Sequence, residues 1–204
     1  NNGIFIFDKN NKLLDKIIDK SNYNSLKFIR PNIVESKDFI NDNNHLKGTH
    51  NAINASIAIS IAKKLNINDN KIELAIKRFK GLSHRMEQIY VSKDLEIIND
   101  SKSTNGESTA AALKSFNSIF WIVGGKPKND GIGKAKNFLD KVVEIFIIGD
   151  STNYFSEEIL KFNKNIPLNV CVTLENATKL ALKKSKISKL KKCVILLSPS
   201  AASF

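Results

Sequence analysis

This 204-residue chain is short of several residue types at once: it has two cysteines, four prolines, one methionine, one tryptophan and three arginines. Cys171 and Cys193 sit in apolar runs, without a CxxC pair or a Cys/His cluster. That excludes a disulfide framework and a structural zinc site, and it suits a reducing, cytoplasmic setting. No apolar run approaches the roughly 18–20 residues that a bilayer-spanning helix needs, so no membrane partner is expected. The stretch NNGIFIFDKNNKLLDK lacks a basic start and a long apolar centre, and no signal peptide is expected from it.

What remains is globular in composition, with 42% hydrophobic and 25% charged residues, enough for one large domain or two small ones. The net charge of +12 raises the question of nucleic acid. Arginine, the residue suited to bidentate phosphate and base contacts, is confined to Arg30, Arg78 and Arg85. Lysine is spread along the chain beside much Asn and Ile, which reads as compositional drift on solvated faces. No nucleic-acid partner is expected.

Along the first 45 residues the pattern predicts short strands and turns: a hairpin of Gly3–Phe7 and Lys12–Ile17, then a strand at Leu26–Ile29. From His50 the period becomes helical, with Ile53, Ile57, Ile61 and Leu65 repeating every four residues among alanines. Asp69 is the expected N-cap of a second helix that turns Ile72, Ala75, Ile76 and Phe79 inward. Gly81 is its expected left-handed C-terminal cap. Beyond it, strands and helices alternate: strands at Leu95–Ile98, Ser118–Val123, Val142–Ile148, Asn169–Val172 and Lys192–Leu197, with helices at Glu107–Phe116, Lys134–Leu139, Ser156–Phe162 and Leu174–Lys184. This predicts an α/β fold, a Rossmann-like, mostly parallel sheet with helices on both faces, preceded by a strand-and-helix segment. Domains are expected at 1–82 and 83–204.

Ligands of such sheets bind past the carboxyl ends of the strands. There lie Asn99-Asp100-Ser101-Lys102, Gly124-Gly125-Lys126 and Ser198-Pro199-Ser200. Asn51 and Asn54 share a helical face and offer the donor and acceptor that read an adenine edge, although Asn51 can equally cap its helix. Arg85 suits a phosphate or carboxylate, or else a structural pair with Asp100. Lys102 can neutralise anionic charge and Thr104 can bind a carboxylate oxygen, unless the loop is simply solvated. No GxxxxGK[ST] occurs, and His45, His50 and His84 do not have a metal spacing, so no metal site is expected.

Taken in order, HNAIN, GLSHRMEQ, NDSKSTN, GGKPK and LLSPSAASF resemble the Mur ligase family of ATP-dependent amide ligases, over roughly residues 45–204. NDSKSTN and the terminal SPSAASF resemble the branch that adds D-glutamate to UDP-N-acetylmuramoyl-L-alanine. The resemblance implies that 1–82 ends the central ATP-binding domain and 83–204 is most of the C-terminal amino-acid-binding domain. It also implies that Asn51, Asn54, Arg85 and Asp100 bind ATP, that Lys102 is catalytic, and that Lys102, Thr104, Lys128, Ser203 and Phe204 hold D-glutamate. ATP and magnesium are the implied cofactors, with the magnesium ligands, the P-loop and the UDP-binding domain expected upstream. On this reading the chain is a monomeric fragment, inactive alone. Alternatives are another Mur-type ligase, such as a folylpolyglutamate synthase-like one, and a basic Rossmann-like nucleotide or nucleic-acid binding module.

Overall fold

The computed structural model describes residues 3–7, 12–19, 26–29, 31, 40, 43–46, 49–127 and 131–202. They form two compact units, Asn1–Lys80 and Gly81–Phe204. No helix among the described residues is long and apolar enough to cross a membrane.

In the first unit, β1 (Gly3–Ile6) is followed by helix α1 (Lys12–Asp19) and by β2 (Leu26–Ile29). β1 and β2 pair in parallel, Gly3 opposite Leu26 and Ile6 opposite Ile29. The expected hairpin is therefore wrong, and Lys12–Ile17 is helical. Leu13, Leu14, Ile17 and Ile18 recur at helical spacing, and a parallel pair needs a crossover where a hairpin needs only a tight turn. Phe7 and Phe28 meet edge to face, 6.4 Å between centroids.

Helix α2 (Thr49–Lys64) and helix α3 (Asp69–Arg78) complete the unit. Asn51 is the third residue of α2, so it lies inside the helix and is not the cap. Asn68, one residue before the expected Asp69, caps α3, its side chain accepting the Asn70 N–H at 2.9 Å. At the other end the buried Asn43 donates its amide to Ile76 O at 2.6 Å and to Phe79 O at 2.8 Å. Gly81 has φ +78, but the extended Phe79 already ends the helix before it. Of the four residues expected to turn inward, Ile72 is buried and Ile76 half-buried, while Ala75 and Phe79 stay exposed. All four line an apolar groove of about 400 Å³ with Ala55, Ala58 and Ile59.

The second unit runs β3 (Glu87–Val91), β4 (Leu95–Asn99), α4 (Gly106–Lys114), β5 (Ile119–Gly124), a 3-10 segment (Gly133–Lys141), β6 (Val142–Ile148), α5 (Thr152–Leu160), β7 (Leu168–Val172), α6 (Leu174–Ile187) and β8 (Cys193–Leu197). Its sheet has the order β3-β4-β8-β5-β6-β7. Only β3 is antiparallel to its neighbour. Sequence periodicity did not reveal β3. Its residues EQIYV do not alternate cleanly, because a register shift at Ile89 breaks the pairing with β4. The helix expected at Lys134–Leu139 is present as a 3-10 helix over Gly133–Lys141, kinked at Phe138 with φ −128.

Both faces of the sheet are covered. Trp121, Val123, Ile145 and Ile147 pack with Leu113 of α4 and with Phe155 and Ile159 of α5. On the opposite face Phe120, Ile122, Phe146 and Ile195 pack with Ala177 and Ala181 of α6. Every residue of β5 is buried, as its continuous apolar sequence requires of a central parallel strand.

Candidate functional site

The sheet order puts the carboxyl ends of β4, β8 and β5 side by side, so the three polar loops expected from the sequence are neighbours. Asp100 stands at their junction. Its buried carboxylate accepts the Met86 N–H at 3.0 Å, the Ser198 hydroxyl at 3.3 Å and the Ser103 hydroxyl. Ser198 is itself fixed: its hydroxyl lies 3.1 Å from Thr109 Oγ1, and its carbonyl accepts the Trp121 indole N–H at 2.8 Å.

The segment before β3 is bonded to the same loops. His84 (φ +66) and Met86 (φ +48) take left-handed backbone, which lets His84 O accept the Lys102 N–H at 3.0 Å. Glu87 Oε2 accepts the His84 N–H at 2.9 Å and the Asn99 amide at 3.2 Å. Arg85 and Lys102 thus sit on two loops tied together by backbone bonds, both side chains exposed and without an ion pair among the described residues. Thr104 is half-buried two residues further on. The suggested Arg85–Asp100 pair is absent among the described residues, and Asp100 instead meets backbone and hydroxyl donors.

The glycine pair owes its identity to close backbone approach. A Cβ on Gly124 (φ +131) would overlap Ile148 O, and one on Gly125 (φ +136) would lie 2.8 Å from Ala202 O. Lys126 and Ala202 exchange backbone hydrogen bonds of 3.2 and 3.1 Å, which fastens the loop after β5 to the one after β8. Asn105 caps α4 by accepting the Ser108 N–H at 2.9 Å, and Gly106 abuts Ile132 O too closely for a side chain. Ser200 (φ +56) is fully buried, and its hydroxyl has no hydrogen-bond partner among the described residues. Its N–H donates to Ser103 O at 3.0 Å. Neither this buried hydroxyl nor the Asp100–Ser198 bond has a sequence signature.

The structure thus brings together Arg85, Asp100, Lys102 and Thr104 in the second unit. Asn51, half-buried, and Asn54, exposed, share a face of α2 in the first unit. Lys128, Ser203 and Phe204 lie outside the described residues. No cluster of three His, Cys, Asp or Glu among the described residues is placed to hold a metal ion. Away from the loops, burial pushes the Cys171 thiol on edge strand β7 above its ordinary range.

A mostly parallel sheet covered on both faces, with polar loops collected past the strand carboxyl ends, defines the class: an α/β domain of the Rossmann-like type. No family model matches the chain. The UDP-N-acetylmuramoylalanine–D-glutamate ligases of Bartonella henselae and Rhodopseudomonas palustris are each 38% identical to it over 159 residues, which is 78% of this chain and 34% of theirs. By this similarity the chain belongs to the Mur ligase family. It spans about a third of the length of these curated relatives. The fold is shared with solved structures. Mycobacterium tuberculosis folylpolyglutamate synthase, complexed with ADP and AMPPCP, matches 97% of this chain and 53% of its own, with TM-score 0.69 and 10% identity. UDP-N-acetylmuramate-alanine ligase of Thermotoga maritima matches 76% of this chain and 35% of its own, with TM-score 0.57 and 18% identity.

Proposed function

We propose that this chain is part of a cytoplasmic ATP-dependent ligase that joins D-glutamate to UDP-N-acetylmuramoyl-L-alanine. In this reading residues 1–82 end the central ATP-binding domain, and residues 83–204 form most of the amino-acid-binding domain. The observation that carries the proposal is the 38% identity over 159 residues to ligases of that specificity.

The residues present suit anionic ligands. Two exposed cations, Arg85 and Lys102, stand on loops fixed by Asp100, and their charge complements a phosphate or a carboxylate. ATP supplies the phosphoryl group that activates the carboxylate of the UDP-sugar peptide. Lys102 neutralises the carboxylate of the incoming D-glutamate and the Thr104 hydroxyl donates to it; Lys128, Ser203 and Phe204 are given to the same ligand by the resemblance to the family alone. Arg85 suits a nucleotide phosphate; taken by itself, the first unit presents the carboxamide of Asn54, beside Asn51, as a group suited to an adenine edge. Asp100 serves this site by holding the two loops, since its oxygens already accept three hydrogen bonds. No group of three His, Cys, Asp or Glu among the described residues is placed to hold a magnesium ion.

Phosphate release by the complete reading frame that carries this chain tests the assignment. Release is expected only when ATP, D-glutamate and UDP-N-acetylmuramoyl-L-alanine are all present. Turnover without D-glutamate, or a preference for another amino acid, overturns it. A folylpolyglutamate synthase-like activity is the second reading, favoured by the TM-score of 0.69, and glutamate addition to a folate would identify it.

A further inference from the structure

The lysines are not evenly spread. Residues 183–192, KKSKISKLKK, contain six lysines and no acid, whereas the whole chain has 29 lysines in 204 residues. The segment joins the last turns of α6 to β8. Two of its lysines are structural: Lys184 pairs with Glu144 at 3.0 Å and Lys192 with Glu96 at 2.6 Å, both carboxylates being largely buried. These pairs anchor the segment to the sheet.

The other four, Lys183, Lys186, Lys189 and Lys191, are exposed and have no ion pair among the described residues. On α6 the buried positions are Ala177, Ala181 and Ser185, and Lys179, Lys183 and Lys186 follow at i, i+4 and i+7 on the opposite side. Among the free lysines stand two apolar side chains, Ile187 at 70% and Leu190 at 40% exposure. A favourable interaction with the negative end of the α6 dipole accounts for lysines in the last helical turn only. It leaves Lys189, Lys191 and the two bare aliphatic side chains unexplained.

We propose that residues 183–192 form a docking surface for an anionic phospholipid bilayer. Clustered ammonium groups match a negatively charged headgroup layer, and exposed Ile and Leu can enter the boundary beneath it. Nucleic acid suits the patch less well, because it has no arginine for bidentate contacts and no aromatic ring for stacking on bases. Each lysine near such a surface raises partitioning by about fivefold. Four free lysines therefore give reversible, salt-sensitive attachment with no spanning segment.

Co-sedimentation of the full 204-residue chain with phosphatidylcholine vesicles, with and without 30 mol% (about one lipid in three) phosphatidylglycerol, tests this. Binding is expected to rise at least tenfold with the anionic lipid and to fall in high salt. A variant with Lys183, Lys186, Lys189 and Lys191 all changed to Gln loses that gain. A control with Lys64, Lys80, Lys93 and Lys164 changed to Gln has the same net charge and keeps it. Ile187→Ser with Leu190→Ser weakens binding while leaving its salt dependence in place. Circular dichroism confirms that each variant is folded. Equal losses in the two lysine variants, or no dependence on phosphatidylglycerol, overturn the proposal. Tighter binding to a short DNA duplex than to the vesicles overturns it in favour of nucleic acid.

Discussion

Met86 donates its backbone N–H to the buried Asp100 carboxylate at 3.0 Å, joining the segment before β3 to the loop after β4. Ser103 and Ser198 donate to the same carboxylate. Asp100→Asn removes the charge and replaces one accepting oxygen with an NH2 group, so that Ser103 and Ser198 can no longer donate there, and Asp100→Ala leaves all three donors without that partner. Losses of about 2 kcal/mol for Asn and about 3 kcal/mol for Ala are expected in urea unfolding. Unchanged midpoints would show that the carboxylate does not organise these loops.

Gly124 is set by sterics. With φ +131 and Ile148 O against the missing side chain, Gly124→Ala combines backbone strain with overlap between β5 and β6. Destabilisation of about 3 kcal/mol follows, seen as a lower thermal midpoint. An alanine variant with an unchanged midpoint would contradict this account.

In the first unit, Asn43→Ala removes both amide bonds to Ile76 O and Phe79 O. The Ile76 and Phe79 carbonyls then lose this side-chain donor, while the packing of Ile76 remains. A local loss of about 1–2 kcal/mol is expected. Hydrogen exchange should speed up around residues 76–79 while the second unit keeps its protection.

In the proposed function, Lys102 and Thr104 hold D-glutamate. Lys102→Ala and Thr104→Val should each raise the KM for D-glutamate at least tenfold, about 1.4 kcal/mol, in the complete enzyme, with a smaller effect on the KM for ATP. Lys102→Arg keeps the charge and should restore part of the loss. Equal rises in both KM values would move these residues from the amino-acid pocket to general folding of the loop.

The raised pKa of Cys171 has its sign in burial, which favours the neutral thiol. The folded state therefore holds its proton more firmly than the unfolded one. That contribution to stability is complete below the ordinary thiol pKa of about 8.5 and is lost as pH rises through the higher folded value. At pH 8 (near the ordinary pKa of ~8.5), iodoacetamide should label Cys171 more slowly than free cysteine, with mass spectrometry following the site. Faster labelling would contradict the burial argument.

The sequence showed the second unit far better than the first. Val142–Ile148 is bounded as expected, because a mostly buried parallel strand reads as an apolar run, here broken only by Glu144, between polar turns. Lys12–Ile17 misled because alternating and helical patterns overlap within six residues, and only its parallel neighbours reveal a crossover. Among the site residues, NDSKSTN marked the β4 loop because its polar run follows an apolar strand directly. Asp100's partners were hidden, since Ser198 lies 98 residues away and Met86 donates through its backbone, which no side-chain pattern records. Arg85 suggested a charge pair because opposite charges invite one, yet three neutral donors occupy the acid. The lysine excess read as compositional drift conceals one segment where charge, exposure and aliphatic side chains coincide.

β8 comes after the other seven strands in the chain, yet it lies between β4 and β5. Without β8, the sheet's pairings reduce to β3 with β4 and to β5, β6 and β7 together, with no other strand among the described residues to join them. Ile119–Ile122 and Leu95–Asn99 must wait for Cys193–Leu197 to hydrogen-bond their open edges. The loops around Asp100 and Ser198 meet only where β8 joins the two pieces, so sheet closure and the assembly of this polar edge are one event.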